Sequence, residues 1–102
     1  MIDLSGKVAV VTGASKGIGK GIVEGLCEYG ATVYFTGRTS SDERPAPPMT
    51  IEATAASAGA LGGQAIPVCL DHNDDVAVEA LFKRIEEEQG RLDILVNNVY
   101  QI

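Results

Sequence analysis

Lys7-Val8-Ala9-Val10-Val11-Thr12-Gly13-Ala14-Ser15-Lys16-Gly17-Ile18-Gly19 is the stretch of this 102-residue chain whose reading decides the fold. Its first six residues form a short β-branched run with no period-two alternation, the pattern of a strand buried on both faces. Gly13 stops the run. From residue 18 to residue 29 the apolar positions Ile18, Ile22, Val23, Leu26 and Cys27 then fall on one helical stripe, and Gly30 stands where a C-terminal cap belongs. The segment is therefore a strand, a glycine turn and a helix in immediate succession. Gly13, Gly17 and Gly19 are spaced Gly-x-x-x-Gly-x-Gly. Glycine lets a backbone bend through positive φ and approach a pyrophosphate closely, and a helix N-terminus offers that anion unpaired N–H groups. The alternative is a tight turn that holds no ligand. The mononucleotide pattern Gly-x-x-x-x-Gly-Lys-Ser/Thr is not met, because Ala14 stands five positions before Gly19 and Gly21 follows Lys20. The Gly-x-Gly-x-x-Gly form also fails, with Ile22 in its last glycine position.

Outward from the turn, residues 32–36 (Thr-Val-Tyr-Phe-Thr) read as a second strand. A loop follows at residues 39–49, holding three of the chain's four prolines. Thr50 is placed to cap an Ala-rich helix with Glu52 in its first turn, and Gly62-Gly63 breaks it. Residues 64–70 form a third strand, and Pro67 argues for an edge position. Asn73, Asp74 and Asp75 supply a cap and acids for a helix carrying Val78, Leu81, Phe82 and Ile85, ended by Gly90. Residues 92–97 form a fourth strand. The order β-α-β-α-β-α-β predicts an α/β, Rossmann-like, doubly wound parallel sheet. Right-handed crossovers put its strands in the order 3-2-1-4, with the first two helices on one face and the third on the other. The fourth strand is then a bare edge and one face carries a single helix, so the fold is expected to be incomplete at the C-terminus. Residues 1–102 are expected to be the N-terminal part of a dinucleotide-binding domain, with further polypeptide or a partner covering the open edge.

Composition agrees with a globular chain: 45% apolar residues, 22% charged residues and 12 glycines. No run approaches the ~20 apolar residues of a membrane span, and Met1-Ile2-Asp3-Leu4 has neither the basic flank nor the apolar core of a signal peptide. A cytoplasmic location is expected. Cys27 and Cys69 have no CxxC partner and read as reduced thiols, not as a disulfide or a metal site. The net charge of −6 argues against nucleic acid as a partner. Residues 1–44 carry five acids and five bases, so the whole excess lies downstream. His72 stands alone, with no carboxylate or cysteine constellation, and is given no chemistry. Glu86-Glu87-Glu88 reads as a solvated helix face.

Three segments together resemble the short-chain dehydrogenase/reductase family. Residues 12–19 are similar to its cofactor motif. Residues 90–98 (Gly-Arg-Leu-Asp-Ile-Leu-Val-Asn-Asn) are similar to its fourth strand and Asn-Asn-Ala-Gly motif. Asp71 falls where the family places an acid beside the adenine. The proline-rich insert and the ending Asn97-Asn98-Val99-Tyr100 resemble the dehydrogenase/reductase family member 1 type and its bacterial relatives; Val99-Tyr100 departs from the family's Ala-Gly. The resemblance implies that Gly13, Ser15, Lys16, Gly17, Ile18, Gly19, Arg38, Asp71, Asn97 and Asn98 bind the cofactor. Asp71 has an alternative role capping the next helix start with Asn73, and the two asparagines an alternative role closing the strand end.

An NAD-preferring domain of this fold ordinarily closes its second strand with an acid for the ribose 2′-OH. Here residues 34–39 read Tyr-Phe-Thr-Gly-Arg-Thr, with Arg38 in place of an acid and Lys16 in the glycine turn. Both suit a 2′-phosphate, the alternative being that they are solvated surface bases, and NADP(H) is expected over NAD(H). The resemblance also implies catalysis by a serine and a Tyr-x-x-x-Lys pair. Tyr29 has Val33 four positions on, Tyr34 has Arg38, and Tyr100 has no residue there; no serine follows Ser57. No residue is therefore expected to be catalytic. The chain reads as the cofactor-binding half of an NADP(H)-dependent oxidoreductase that moves hydride between nicotinamide and a carbonyl or alcohol, a type that is usually homo-oligomeric. The alternatives are a stand-alone NADP(H)-binding or regulatory module, or a truncated product without function.

Overall fold

The structure, a computed structural model, describes residues 3–14, 17–37 and 51–98. Its elements are β1 (Val8–Thr12), α1 (Gly17–Glu28), β2 (Thr32–Gly37), α2 (Ile51–Gly59), β3 (Gln64–Cys69), α3 (Asp75–Gln89) and β4 (Ile94–Asn97). The four strands pair in parallel in the order β3-β2-β1-β4. This is the expected 3-2-1-4 sheet. All five residues of β1 are buried, which accounts for its unalternating sequence. Pro67 lies opposite Phe35 on the edge strand β3, where its missing N–H leaves no inner ladder short of a donor.

The helices divide between the faces as right-handed crossovers require. Ala9, Val11, Val33 and Phe35 pack against Val23 and Cys27 of α1 and Ile51 and Ala58 of α2. Val8, Val10 and Tyr34 pack against Leu81 and Ile85 of α3. Burying each such valine, leucine or phenylalanine contributes about 1.5–3 kcal/mol relative to leaving it in water. Tyr34 is fully buried and carries a hydroxyl that needs partners; it donates to Glu88 Oε1 at 2.6 Å and accepts from Gln89 Nε2 at 3.1 Å. Burial, then the Glu88 contact, pushes the phenol above its usual pKa.

The ends of α3 are as expected, and those of α2 and β4 differ from expectation for local reasons. α3 is capped by Asp74, whose side chain accepts from Ala77 N, and closed by Gly90 at φ 71°. The Ala-rich helix stops at Gly59, short of Gly62-Gly63, where Leu61 N turns back to Ala58 O at 3.0 Å. β4 starts at Ile94 and not at residue 92, because Asp93 caps the strand entry with its carboxylate, accepting from Val8 N at 2.9 Å. The Thr50 cap and the loop at 39–49 lie outside the described residues. Cys27 is buried and Cys69 exposed, with no disulfide between them. Among the described residues no helix is long and apolar enough to cross a membrane, and no metal-ligating cluster occurs.

Candidate functional site

The C-terminal ends of β1, β2 and β4 meet the N-terminus of α1, the place where parallel α/β sheets present loops and free amides together. The first amides of a helix have no acceptor within it and form its positive end. At that end Gly17 has φ 67°, a conformation that disfavours a side chain, and a Cβ built on it would meet nothing within 4 Å. Ile18 beside it is 76% exposed. The outer side of Gly17 and Ile18 is thus open. The inner surface of the turn is not: a Cβ on Gly19 would run into Gly13 O and come within 2.8 Å of Asn98 Nδ2 and 3.0 Å of Ala14 Cα.

Short neutral side chains tie the turn from three sides. From β1 and β4, the Thr12 hydroxyl accepts from Asn98 N at 2.9 Å and donates to Asn97 Oδ1 at 3.1 Å. Asn98 Nδ2 donates to Gly13 O at 3.1 Å. From β2, the Thr36 hydroxyl accepts from Gly13 N at 3.2 Å, while Thr36 O accepts from Ala14 N at 2.7 Å. From α2, Thr54 Oγ1 donates to Ala14 O at 3.1 Å. Both Thr36 and Thr54 are fully buried, so each hydroxyl needs a protein partner and each has one.

Of the residues expected to bind a cofactor, Gly13, Gly17, Ile18, Gly19, Asn97 and Asn98 come together here. Ser15, Lys16 and Arg38 lie outside the described residues, as do Val99 and Tyr100. Asp71 sits on the turn after β3, where Oδ1 accepts from Asn73 N at 2.9 Å and its carbonyl accepts from Asp74 N at 2.9 Å. That local turn is the capping role weighed for it, although the N-cap itself is Asp74. Sequence reasoning missed Thr36, Thr54 and His72. Threonine stands at or next to the C-terminal end of both inner strands, a repeated signal; nothing at residue 54 or residue 72 marks its long-range contact. His72 Nε2 lies 2.7 Å from Thr36 Oγ1. Burial lowers the imidazole pKa, against an opposing pull from Asp71.

Comparison with known proteins agrees with this geometry. The family model described as short chain dehydrogenase matches residues 7–100. The chain is 49% identical over 98 residues to dehydrogenase/reductase SDR family member 1 of Mus musculus, covering 95% of this chain and 29% of that protein. A short chain dehydrogenase from Mycobacterium thermoresistibile superposes with TM-score 0.85 at 36% identity, covering 98% of this chain and 35% of its own. A metagenomic short-chain oxidoreductase, solved in complex with NADP, superposes with TM-score 0.82 at 36% identity, covering 95% of this chain and 40% of its own. This chain spans about three tenths of the length of the curated relatives it matches, 29% in each of the first two. With a Rossmann fold, its glycine turn in place and a family match along nearly its whole length, the chain belongs to the short chain dehydrogenase family.

Proposed function

We propose that this chain is the cofactor-binding portion of an NADP(H)-dependent oxidoreductase that transfers hydride between nicotinamide and a carbonyl or alcohol. The observation that carries the reading is the glycine turn itself. Its inner face is filled so closely that Gly19 admits no Cβ, while Gly17 and Ile18 leave the α1 N-terminus open to an anion. That cradle suits a pyrophosphate. Ser15, Gly17, Ile18 and Gly19 would hold it through backbone and hydroxyl donors, Gly13 would shape the turn beneath it, Asp71 would face the adenine, and Asn97 and Asn98 would brace the ribose side. A bound nicotinamide supplies the hydride chemistry. The chain's residues bind and orient it, and the acid/base groups belong to further polypeptide, which also covers the β4 edge.

NADP(H) over NAD(H) is supported by the end of β2: the strand closes at Gly37 with no acid, and Arg38 follows it in sequence. Arg38 and Lys16 are the proposed partners of the 2′-phosphate. Two cysteines without a disulfide fit a reducing, cytoplasmic location. The test is titration of the full chain and of Arg38→Ala with NADPH and NADH. The substitution is expected to raise the NADPH dissociation constant by about tenfold or more, the worth of a charge-assisted hydrogen bond, and to leave NADH nearly unchanged. Equal losses for both cofactors, or no binding of either to the unaltered chain, overturn the reading.

A further inference from the structure

We propose that His72 is a positioning residue for the glycine turn, acting through the Thr36 hydroxyl on the Gly13 amide. This rests on the dinucleotide reading above and deepens it. Gly13 N–H donates to Thr36 Oγ1 at 3.2 Å, and Thr36 Oγ1 lies 2.7 Å from His72 Nε2. Thr36 is fully buried, so its single hydroxyl hydrogen has no water to reach. With one lone pair on Gly13 N–H, that hydrogen goes to the imidazole, whose Nε2 must then be the bare nitrogen and Nδ1 the protonated one. Partial burial of the ring favours this neutral form, and Asp71 is the charged group that faces it among the described residues. A hydroxyl that donates at one end accepts more strongly at the other, so the imidazole strengthens the hold on Gly13.

The consequence is positional. Thr36 binds two consecutive amides of the turn, Gly13 N by its side chain and Ala14 N by its carbonyl at 2.7 Å. Together they fix the peptide planes that lead into the open α1 N-terminus. His72 directly follows Asp71 on the turn after β3, so one chain of contacts joins the proposed adenine side of the site to its proposed phosphate side.

The experiment compares the full chain with His72→Leu, His72→Gln and Thr36→Val, the last also combined with His72→Leu. Glutamine places a non-titrating acceptor near the position of Nε2. Two readouts are taken: the Gly13 amide resonance in ligand-free protein, and the NADPH dissociation constant. His72→Leu is expected to move the Gly13 amide resonance and weaken NADPH roughly five- to tenfold, the worth of one hydrogen bond. His72→Gln is expected to restore both, and the double variant to be no worse than Thr36→Val alone. An unmoved Gly13 resonance in His72→Leu, or additive losses in the double variant, overturns the proposal. If His72→Leu does not fold, the imidazole nitrogen resonances of the unaltered chain decide, with a protonated Nε2 overturning it. Should NADPH and NADH both fail to bind, the dinucleotide reading falls while the Gly13 resonance still judges His72.

Discussion

The two ends of β1 are both tied by polar contacts, and they are tied with opposite chemistry. At its N-terminal end Val8 N donates to Asp93 Oδ2 at 2.9 Å, and Arg91 grips the same carboxylate through Nε at 2.9 Å and NH2 at 2.7 Å. That knot is charged and faces water, and it sets the register in which β4 lies beside β1. At the C-terminal end Thr36, Thr54 and Asn98 hold Gly13 and Ala14 with neutral groups, two of them fully buried, while Thr12 holds Asn98. A carboxylate at this second end would repel any anion that the positive end of a helix attracts. Neutral donors and acceptors fix the backbone there without adding a charge. One end secures the strand, and the other keeps a place open.

The largest expected break comes from Gly19→Ala. The new Cβ would press on Gly13 O and Ala14 Cα, backbone atoms that cannot swing aside, and on Asn98 Nδ2. Overpacking of this kind costs about 1–3 kcal/mol. Because the turn itself must move, NADPH affinity should fall by more than the roughly tenfold worth of a single hydrogen bond to a charged group, since several donors shift together. Gly21→Ala is the control on the same helix, since its Cβ would meet nothing within 4 Å. It should stabilise the chain by about 0.5–1 kcal/mol and leave binding alone. Denaturant unfolding and cofactor titration check both; equal behaviour of the two variants would mean that the close approach at Gly19 is not what shapes the turn.

A smaller effect is expected from Asn98→Ala. It removes the bond from Nδ2 to Gly13 O at 3.1 Å but keeps the backbone bond from Asn98 N to Thr12 at 2.9 Å. A loss of about 1 kcal/mol in stability should accompany a roughly tenfold weaker NADPH complex, by the same hydrogen-bond magnitude. Full affinity in this variant would show that Gly13 is held well enough from the Thr36 side.

How far the residues announced these features depends on how local each cause is. The strand, turn and helix at residues 7–28 were legible because burial of β1, the glycine spacing and the apolar stripe of α1 each act within one segment. The 3-2-1-4 order followed from the handedness of the crossovers, and Pro67 marked its own edge. Asn97 and Asn98 were legible from the resemblance of residues 90–98 to a known motif. Thr54 and His72 were not, since each meets the site across 40 or 36 positions of chain, to Ala14 and Thr36 respectively. A threonine in an Ala-rich helix and a histidine after a strand carry no local pattern that says where their polar atoms go. Asp93 was hidden for the same reason: its bond to Val8 spans 85 positions.

The charged end of β1 should respond to acid, and least to cofactor. The hydrogen bond from Arg91, then that from Val8 N, lowers the Asp93 carboxyl from 3.8 to about 2. A carboxyl that is more acidic when folded than when unfolded stabilises the fold above its unfolded pKa, and this contribution is lost as pH falls toward the folded value. Stability of the unaltered chain should therefore decline from about pH 4 down to about pH 2 in part through this one group. Asp93→Asn keeps an acceptor for Val8 N but neither the charge nor the bidentate grip of Arg91. Its unfolding free energy should be lower at pH 7 and depend less on pH in that window, while NADPH affinity at pH 7 stays within about twofold, the tolerance for sites far enough apart to be additive. Acid titration of the two proteins by circular dichroism checks the slope. If Asp93→Asn weakened NADPH as strongly as Asn98→Ala does, the two ends of β1 would be one coupled unit, and their separation into a register lock and an anion seat would fail.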